Sequence, residues 1–472
     1  DFSIFMTSAL QKEYSTGKNE MSTYRTSILL AALTTILAIG ALVFASHPAL
    51  KSISSVSLIG VFAALIITFI FYPILFRFFL SSRVKNGKAP FEFRTLIHST
   101  LSCIYYGLGG FLLSIFSVLL MKILPFSKKS KTLAFHYLLS KFMKSVLYTN
   151  PFTSKKVINR HNETFEKPAV IIANHTSFLD ILAVGMLNPK IIFLVSDWVY
   201  NSPIFGKGVR LAGFYPVSQG LEGGVDHLRE KVNQGFSLMV FPEGSRSEDN
   251  HIKRFHKGAF YLAETFNLDI IPVVIHGNSE VLPKGDFIIN DGSITVEIME
   301  RITPDDIRFG ENYVERTKKI NHFFRESFAI MRFQIEGVNY FKKMILHSFA
   351  YKEMEIISEV KATLDQKLQF FYNKNEIGKK AKIMHISNDY GETDLLLSLQ
   401  APERKIYTFI AYEEKRDVAK TNYIVKKRKI NYLDTKEEIL QNEYDLLLIS
   451  AESDLLTEEF LANFPQVIKA IV

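Results

Sequence analysis

Three stretches near the N-terminus are apolar almost without interruption: Ser27–Ala45, Ile53–Phe76 and Thr100–Met121. Uncharged runs of about 18 residues or more are membrane segments rather than core helices. A shorter apolar end, Asp1–Leu10, comes first, followed by a polar link with Lys12, Lys18 and Arg25. Basic residues bracket the first two long runs, with Arg77, Arg83, Lys85 and Lys88 on the far side. The positive-inside rule then puts both outer ends of this hairpin in the cytoplasm. The third run is basic at both ends (Arg94, then Lys122, Lys128, Lys129 and Lys131) and holds Gly107, Gly109 and Gly110. The glycines could bend the run, and the pattern favours a segment that dips into or lies along one leaflet over a full crossing. Leu138, Leu139, Phe142, Val146 and Leu147 then recur at helical spacing with lysines nearby, predicting an amphipathic interfacial helix over Leu133–Tyr148.

Past residue 155 the pattern changes to short apolar runs alternating with helical periods. It predicts strands at Ala169–Ala173, Ile191–Val195, Ser237–Phe241, Ile271–Ile275 and Ile294–Ile298, and helices at Ile181–Leu187, Gly223–Gln234 and Ala259–Thr265. This is an α/β plan. Residues 311–372 read as helical and charged. Strands return at Ala381–Ser387, Lys405–Ala411, Lys429–Leu433, Tyr444–Ser450 and Gln466–Val472, with helices between, as in an open parallel sheet. The expected organisation is transmembrane helices over 1–95, an α/β domain with membrane-embedded N-terminal helices over 100–305, a helical connector over 306–375 and a second α/β domain over 376–472. The first residue, Asp1, stands directly in an apolar segment, as in a piece of a longer chain.

Composition narrows the function. The chain has 472 residues, 47% of them hydrophobic and 22% charged, which excludes a disordered chain, a coiled coil and a small disulfide scaffold. With the membrane segments, an ordinary soluble enzyme is excluded as well. The one cysteine, Cys103, supports neither a disulfide framework nor a cysteine metal site, and it points to a cytosolic face for the soluble part. The net charge is +8, and basic residues crowd Arg83–Lys88 and Lys128–Lys131 beside the apolar runs, which suits anionic lipid. No recognition helix, zinc motif or basic-aromatic stripe supports nucleic acid.

Two segments carry candidate chemistry. Asn174-His175-Thr176-Ser177-Phe178-Leu179-Asp180 joins a predicted strand to a predicted helix. A His exposed at that turn, with an Asp about one helical turn on, can have its tautomer fixed by the carboxylate and act as a general base. The alternative is a helix start capped by Thr176 or Ser177, with His175 merely at the surface. Phe241-Pro242-Glu243-Gly244-Ser245-Arg246-Ser247 also ends a strand. Its Gly permits close backbone approach, Arg246 offers a planar fork suited to phosphate, and Glu243 is placed to position an acceptor hydroxyl. The alternative is an ordinary turn, since Pro-Glu-Gly-Ser is turn-like. Arg254-Phe255-His256-Lys257-Gly258 adds cations, and Ile271-Pro272-Val273 reads as a strand start.

Taken in order, Asn174-His175 to Asp180, Phe241–Ser247 and Ile271-Pro272-Val273 resemble three blocks of the glycerolipid acyltransferase superfamily, whose best-known members are 1-acyl-sn-glycerol-3-phosphate acyltransferases. The resemblance covers about residues 100–302. It implies a membrane-bound acyltransferase with an α/β fold behind a membrane-embedded two-helix element, which Thr100–Tyr148 would supply. In the HX4D pattern His175 would be the base and Asp180 its orienter, acting on a hydroxyl or amine of a lipid-like acceptor. That group would attack an acyl thioester on acyl carrier protein or coenzyme A. The acceptor head would lie near Glu243, Gly244, Ser245 and Arg246, and donor phosphates near Lys207, Arg210 or Lys257. The implied partners are membrane lipid and the thioester carrier, in the cell inner membrane with the catalytic domain on the cytoplasmic face. No metal or redox cofactor is implied. The family usually shows Asp-Arg after a Gly-led apolar run, whereas Gly213-Phe214-Tyr215-Pro216-Val217-Ser218-Gln219 carries Ser218 and Gln219 there. Either a neighbouring cation such as Arg210, Arg254 or Lys257 compensates for the neutral amide, or the acceptor lacks that phosphate; the second is favoured, with a zwitterionic or neutral acceptor such as a lyso-aminolipid or a hydroxylated pigment precursor.

The flanking parts resemble other families. Asp1-Phe2-Ser3-Ile4-Phe5, the Thr34-Thr35 pair, and Gly60 before a helix closing at Pro73 resemble the last transmembrane part of an RND-superfamily exporter of the MMPL kind, where an intramembrane Asp serves proton relay. The expectation for this chain is an anchor without transport. Residues 376–472 resemble a Rossmann-like methyltransferase, but the turn Asn388-Asp389-Tyr390-Gly391-Glu392 has a single Gly. The acidic ribose partner falls near Ile410 or Ala411, neither acidic. The expectation is a degenerate domain without S-adenosylmethionine.

Overall fold

The computed structural model describes residues 2–16, 20–123, 125–219, 222–247, 251–372, 377–450, 457–464 and 468–471; Asp1 lies outside them, as does the side chain of Gln219. The chain forms two compact units, one of residues 1–91 with 336–472 and the other of residues 92–335.

In the first unit, α1 (Phe2–Thr16) and α2 (Met21–Ala41) precede α3 (Pro48–Ile66), α4 (Tyr72–Phe76) and α5 (Ser82–Lys85). His47 caps α3 by accepting the Ala49 N–H at Nδ1 (3.2 Å), and Pro48 takes the first turn, where its missing N–H costs nothing. The sequence expectation that the second hairpin helix closes at Pro73 is corrected: π-helical turns at Ile67–Phe71 and Arg77–Ser81 carry the helix on to Lys85. A wider turn just ahead of Pro73 removes the need for the hydrogen bond that proline cannot donate.

The second unit opens with α6 (Phe93–Ile123) and α7 (Lys128–Leu147). Helix α6 is 31 residues without a break, about 46 Å long against a hydrocarbon core of about 30 Å. Its glycines do not bend it; Gly109 and Gly110 admit neighbours, while Gly107 faces open space. A Cβ on Gly109 would lie 2.6 Å from the Phe142 ring of α7, and one on Gly110 would lie 2.2 Å from the Phe205 ring. Among the described residues, three helices, Met21–Phe44, Pro48–Lys85 and Phe93–Ile123, are long and apolar enough to cross a membrane. Helix α7 is amphipathic, begins at the Ser127 cap, and buries Phe135, His136, Met143, Val146 and Leu147.

The α/β layer follows: β1 (Thr153–Asn159), β2 (Ala169–Ala173), α8 (Leu179–Gly185), β3 (Ile191–Val195), α9 (Asp197–Tyr200), α10 (Gly206–Leu211), β4 (Tyr215–Pro216), α11 (Val225–Asn233), β5 (Ser237–Val240), α12 (Gly258–Thr265), β6 (Asp269–His276), α13 (Asn278–Val281), β7 (Gly292–Ile298) and α14 (Tyr313–Ile335). The seven strands lie in the order β1-β7-β6-β2-β5-β3-β4, parallel except for β6 against β7. All five residues of β2 are buried, as a central strand covered on both faces requires. Pro272 is not at a strand start as expected, because β6 begins three residues earlier with Asp269 opposite Ala169. The antiparallel register slips by one residue between the Ile270–Ile302 bridge and the Val273–Ile298 pair. That bulge is where a residue without an N–H fits inside a sheet.

The remaining elements belong to the first unit: α15 (Val338–Phe349), α16 (Met354–Tyr372), β8 (Lys382–Ser387), α17 (Glu392–Gln400), β9 (Lys405–Ile410), α18 (Glu413–Lys420), β10 (Ile430–Leu433), β11 (Leu446–Ile449), α19 (Glu458–Ala462) and β12 (Ile468–Ile471). Their five strands are all parallel in the order β10-β9-β8-β11-β12. At the end of β8, Lys367 of α16 pairs with Asp389 (3.0 Å) and Glu392 (2.5 Å), filling the mouth of the first strand-to-helix turn with the chain's own charges.

Candidate active site

The parallel strands β2 and β5, together with β6, end on one edge of the larger sheet, and the loops after them meet there. Asn174 extends the ladder by one residue with its side chain: Nδ2 donates to the Ile275 carbonyl and Oδ1 accepts the Ile275 N–H, both at 2.8 Å. The next residue, His175, is therefore projected from a fixed position.

Its imidazole Nδ1 stands 3.0 Å from Asp180 Oδ2, and its ring stacks on Phe241 with centroids 4.0 Å apart. The Asp180 side chain is 0% exposed and that of His175 15%. Oδ2 of Asp180 also accepts the Thr176 N–H (2.6 Å) and the Ser177 N–H (2.8 Å), while Oδ1 accepts from Asn278 Nδ2 (2.7 Å). Every partner of this carboxylate is a donor, so it is satisfied as an anion, and Nδ1 carries the ring proton. The other nitrogen, Nε2, is then the basic one. Ser177 Oγ donates to the Leu282 carbonyl (2.7 Å) and ties the turn to the segment after α13.

The loop after β5 is strapped to the same backbone. Glu243 Oε1 accepts the His175 N–H (2.8 Å) and Oε2 the Lys253 N–H (2.9 Å), and the Ser247 N–H donates to the His175 carbonyl (2.7 Å). With one backbone N–H on each oxygen and the residue buried, Glu243 ties the two loops together. Burial raises its carboxyl above the usual range, with the backbone donors of Lys253 and His175 pulling the other way. Gly244 adopts φ +68°, and a Cβ there would meet the His256 ring at 3.0 Å, so this turn requires glycine.

Other expected site residues spread out. Ser245 is exposed and Arg246 half-buried on the rim of this loop, held by Lys253, whose Nζ reaches Ser245 Oγ (3.1 Å) and the Arg246 carbonyl (2.9 Å). Lys257 precedes α12 and is exposed. Lys207 and Arg210 lie on α10, beyond β3, and Arg210 is engaged with the Tyr200 carbonyl (2.7 Å). Ser218 hydrogen-bonds to Asp197. Sequence reasoning missed Asn278 and Lys253. Asn278 directly follows the strand that holds Pro272, and its place in the blocks' order was the available signal; Lys253 gave none.

Residues 154–276 match the family model described as Acyltransferase. Among relatives, the 1-acyl-sn-glycerol-3-phosphate acyltransferase LPAT1, chloroplastic, of Arabidopsis thaliana is 31% identical over 175 residues, 36% of this chain and 49% of that protein. The 1-acyl-sn-glycerol-3-phosphate acyltransferase of Saccharomyces cerevisiae is 29% identical over 163 residues, 32% of this chain and 52% of that protein. The chain thus spans about half the length of the curated relatives it matches. The crystal structure of the 1-acyl-sn-glycerophosphate (LPA) acyltransferase, PlsC, from Thermotoga maritima aligns with a TM-score of 0.41 at 20% identity, covering 50% of this chain and 97% of that one.

Proposed function

We propose that residues 100–305 are a membrane-bound acyltransferase that moves an acyl group from a thioester of acyl carrier protein or coenzyme A to a hydroxyl or amine of a lipid-like acceptor. The observation that carries the reading is the buried Asp180 carboxylate on His175 Nδ1 at 3.0 Å, with the ring still partly exposed. Nε2 takes the acceptor's proton as its oxygen or nitrogen attacks the thioester carbonyl. The tetrahedral intermediate then expels the thiolate, and the imidazolium returns the proton to that sulfur. Asp180 stabilises the imidazolium in between. Gly244, Ser245 and Arg246 receive the acceptor head, and Lys257 the donor phosphates. The enzyme sits in the cell inner membrane with this domain on the cytoplasmic face, a reading supported by basic residues at the ends of the apolar helices.

For the acceptor we read a zwitterionic or neutral head, because Gln219 and Ser218 stand where Arg and Asp are usual and an amide does not replace a charge-assisted contact to phosphate. A second reading, lysophosphatidate as acceptor, is favoured by the activity in the relatives' names. A competition assay with one acyl donor, lysophosphatidate and a lyso-aminolipid separates them. Preference for lysophosphatidate by about tenfold, or about 1.4 kcal/mol, selects the second. The base assignment is tested by His175→Ala, which removes thiol release from acyl donor; wild-type turnover overturns it. Lipid profiling of a deletion strain complemented with His175→Ala identifies the acceptor in cells.

For the flanks we read an exporter-like anchor over residues 1–80 and a Rossmann-like domain over 376–472 that does not transfer methyl groups. The order β10-β9-β8-β11-β12 supports the fold, and the Lys367–Asp389–Glu392 cluster supports the lack of cofactor. Calorimetry with S-adenosylmethionine tests the latter, and a micromolar dissociation constant refutes it.

A further inference from the structure

Between β3 and β4 the chain makes two short helices, α9 and α10, and α10 packs on α6. The Phe205 ring lies 5.0 Å from that of Tyr106, and a Cβ on Gly208 would meet Ser114 Oγ at 2.9 Å. Three large apolar side chains are open here, Trp198 at 67% exposed, Ile204 at 41% and Val217, just after β4, at 50%, with Asn201, Lys207 and Arg210 also exposed among them. Single exposed apolar residues are ordinary on a protein surface. These three belong to one segment, and it is seated against a helix whose own free face exposes Ile104, Leu108 and Leu112. The cations of the segment are Lys207, exposed on α10, and Arg210, folded onto the Tyr200 carbonyl. Exposed aromatic and aliphatic side chains beside basic ones, next to a membrane-length helix, match the chemistry of the headgroup–acyl boundary.

We propose that residues 198–217 are a second membrane-contact element, inserting Trp198, Ile204 and Val217 into the interface of an anionic bilayer beside α6. The proposal rests on the reading of α6 as membrane-embedded. It gives the catalytic layer two points of attachment, which fix its tilt on the leaflet where one helix would leave it free to rock. Lys207 then pairs with a lipid phosphate at the surface instead of the donor's.

The chain supplies its own probes, since Trp198 is its one tryptophan and Cys103, exposed on α6, its one cysteine. The whole protein is placed in vesicles of phosphatidylethanolamine and phosphatidylglycerol, with or without phosphatidylcholine brominated near the glycerol end of its chains. Trp198 emission is expected to shift to the blue, to lose intensity with brominated lipid and to resist aqueous iodide. An unshifted emission that iodide quenches and brominated lipid leaves unchanged overturns the proposal. Ile204→Asp, on the same segment but with Trp198 intact, is expected to reduce the bromine quenching, and unchanged quenching counts against the proposal. An environment-sensitive label on Cys103 reports α6 separately. A lipid-embedded label with an aqueous Trp198 overturns the proposal alone. An aqueous label with a lipid-quenched Trp198 overturns the reading of α6 and, with it, the two-point attachment proposed here.

Discussion

Replacing Asp180 by asparagine separates the charge of this residue from its shape. The carboxylate holds four donors, on His175, Thr176, Ser177 and Asn278. An amide at 180 can keep its oxygen toward the first three and turn its NH2 toward Asn278. Two amide nitrogens would then face each other, but Asn278 Oδ1 is buried without a partner, so a flip of the Asn278 amide presents an oxygen to the new donor. The fold is therefore expected to survive within about 1 kcal/mol, roughly one neutral hydrogen bond. What is lost is the negative charge against the imidazolium. A hydrogen bond to a charged group is worth about 1.5–3 kcal/mol, or about 10- to 150-fold in rate, so the loss of turnover should lie in that range or above it. Asp180→Ala should behave differently, because four buried donors lose their acceptor at about 1–3 kcal/mol each, and the domain should fail to fold. The assay is thiol release from an acyl donor by protein in vesicles, beside thermal unfolding of the same samples. An Asp180→Asn protein with turnover within about twofold of wild type would refute the charge argument, and one that unfolds like Asp180→Ala would refute the flip.

His175→Ala should lower turnover by about 10²–10⁴, the usual worth of a general base, with unchanged unfolding temperature. Gly244→Ala should cost about 1 kcal/mol or more of stability at its left-handed turn and lower turnover as the loop shifts from His175, measured by thermal unfolding and thiol release together. Gly110→Ala should destabilise α6 against Phe205 by about 1–3 kcal/mol, and Phe205→Ala in the same chain should recover part of it. His136, buried in α7 with Nε2 2.8 Å from the Ala212 carbonyl, has its pKa pushed down to about 4 by burial. The unfolded chain binds that proton first, so its contribution to stability is present above about pH 6.5 and is lost as pH falls toward 4, by up to about 3 kcal/mol. His136→Gln should flatten the acid side of an unfolding-temperature profile, and an unchanged profile would show that the group does not titrate on unfolding.

Much of the layer order was open to reading because parallel strands covered on both faces are continuous apolar runs, as in Ala169–Ala173 and Ile191–Val195. The strand β1 was missed because Thr153–Asn159 pairs on one side only and carries Ser154, Lys155 and Lys156 along a largely open edge. The β4 strand is two residues long and below any periodicity. Pro272 hid the first part of β6, since a proline in a sheet signals an end unless a bulge is known to receive it. Within the site, His175 and Asp180 could be paired because five positions across a strand-to-helix turn fix their separation. Asn278 reaches Asp180 from across the sheet, and Glu243 meets two backbone N–H groups, neither of which a linear pattern encodes. The unbroken α6 shows the same limit: its glycines were visible, but whether they bend a helix or seat a ring depends on what lies opposite.

Most of the ties that fix the histidine run to main-chain atoms: Asn174 to Ile275, Glu243 to His175 and Lys253, and Ser247 to the His175 carbonyl. Such a frame does not depend on which side chains stand at Ser245 and Arg246. The outward positions of the 241–247 loop are therefore interchangeable parts on a fixed chassis. On the proposed function, a library randomised at those two positions is expected to vary the acceptor preference while leaving the His175–Asp180 geometry in place.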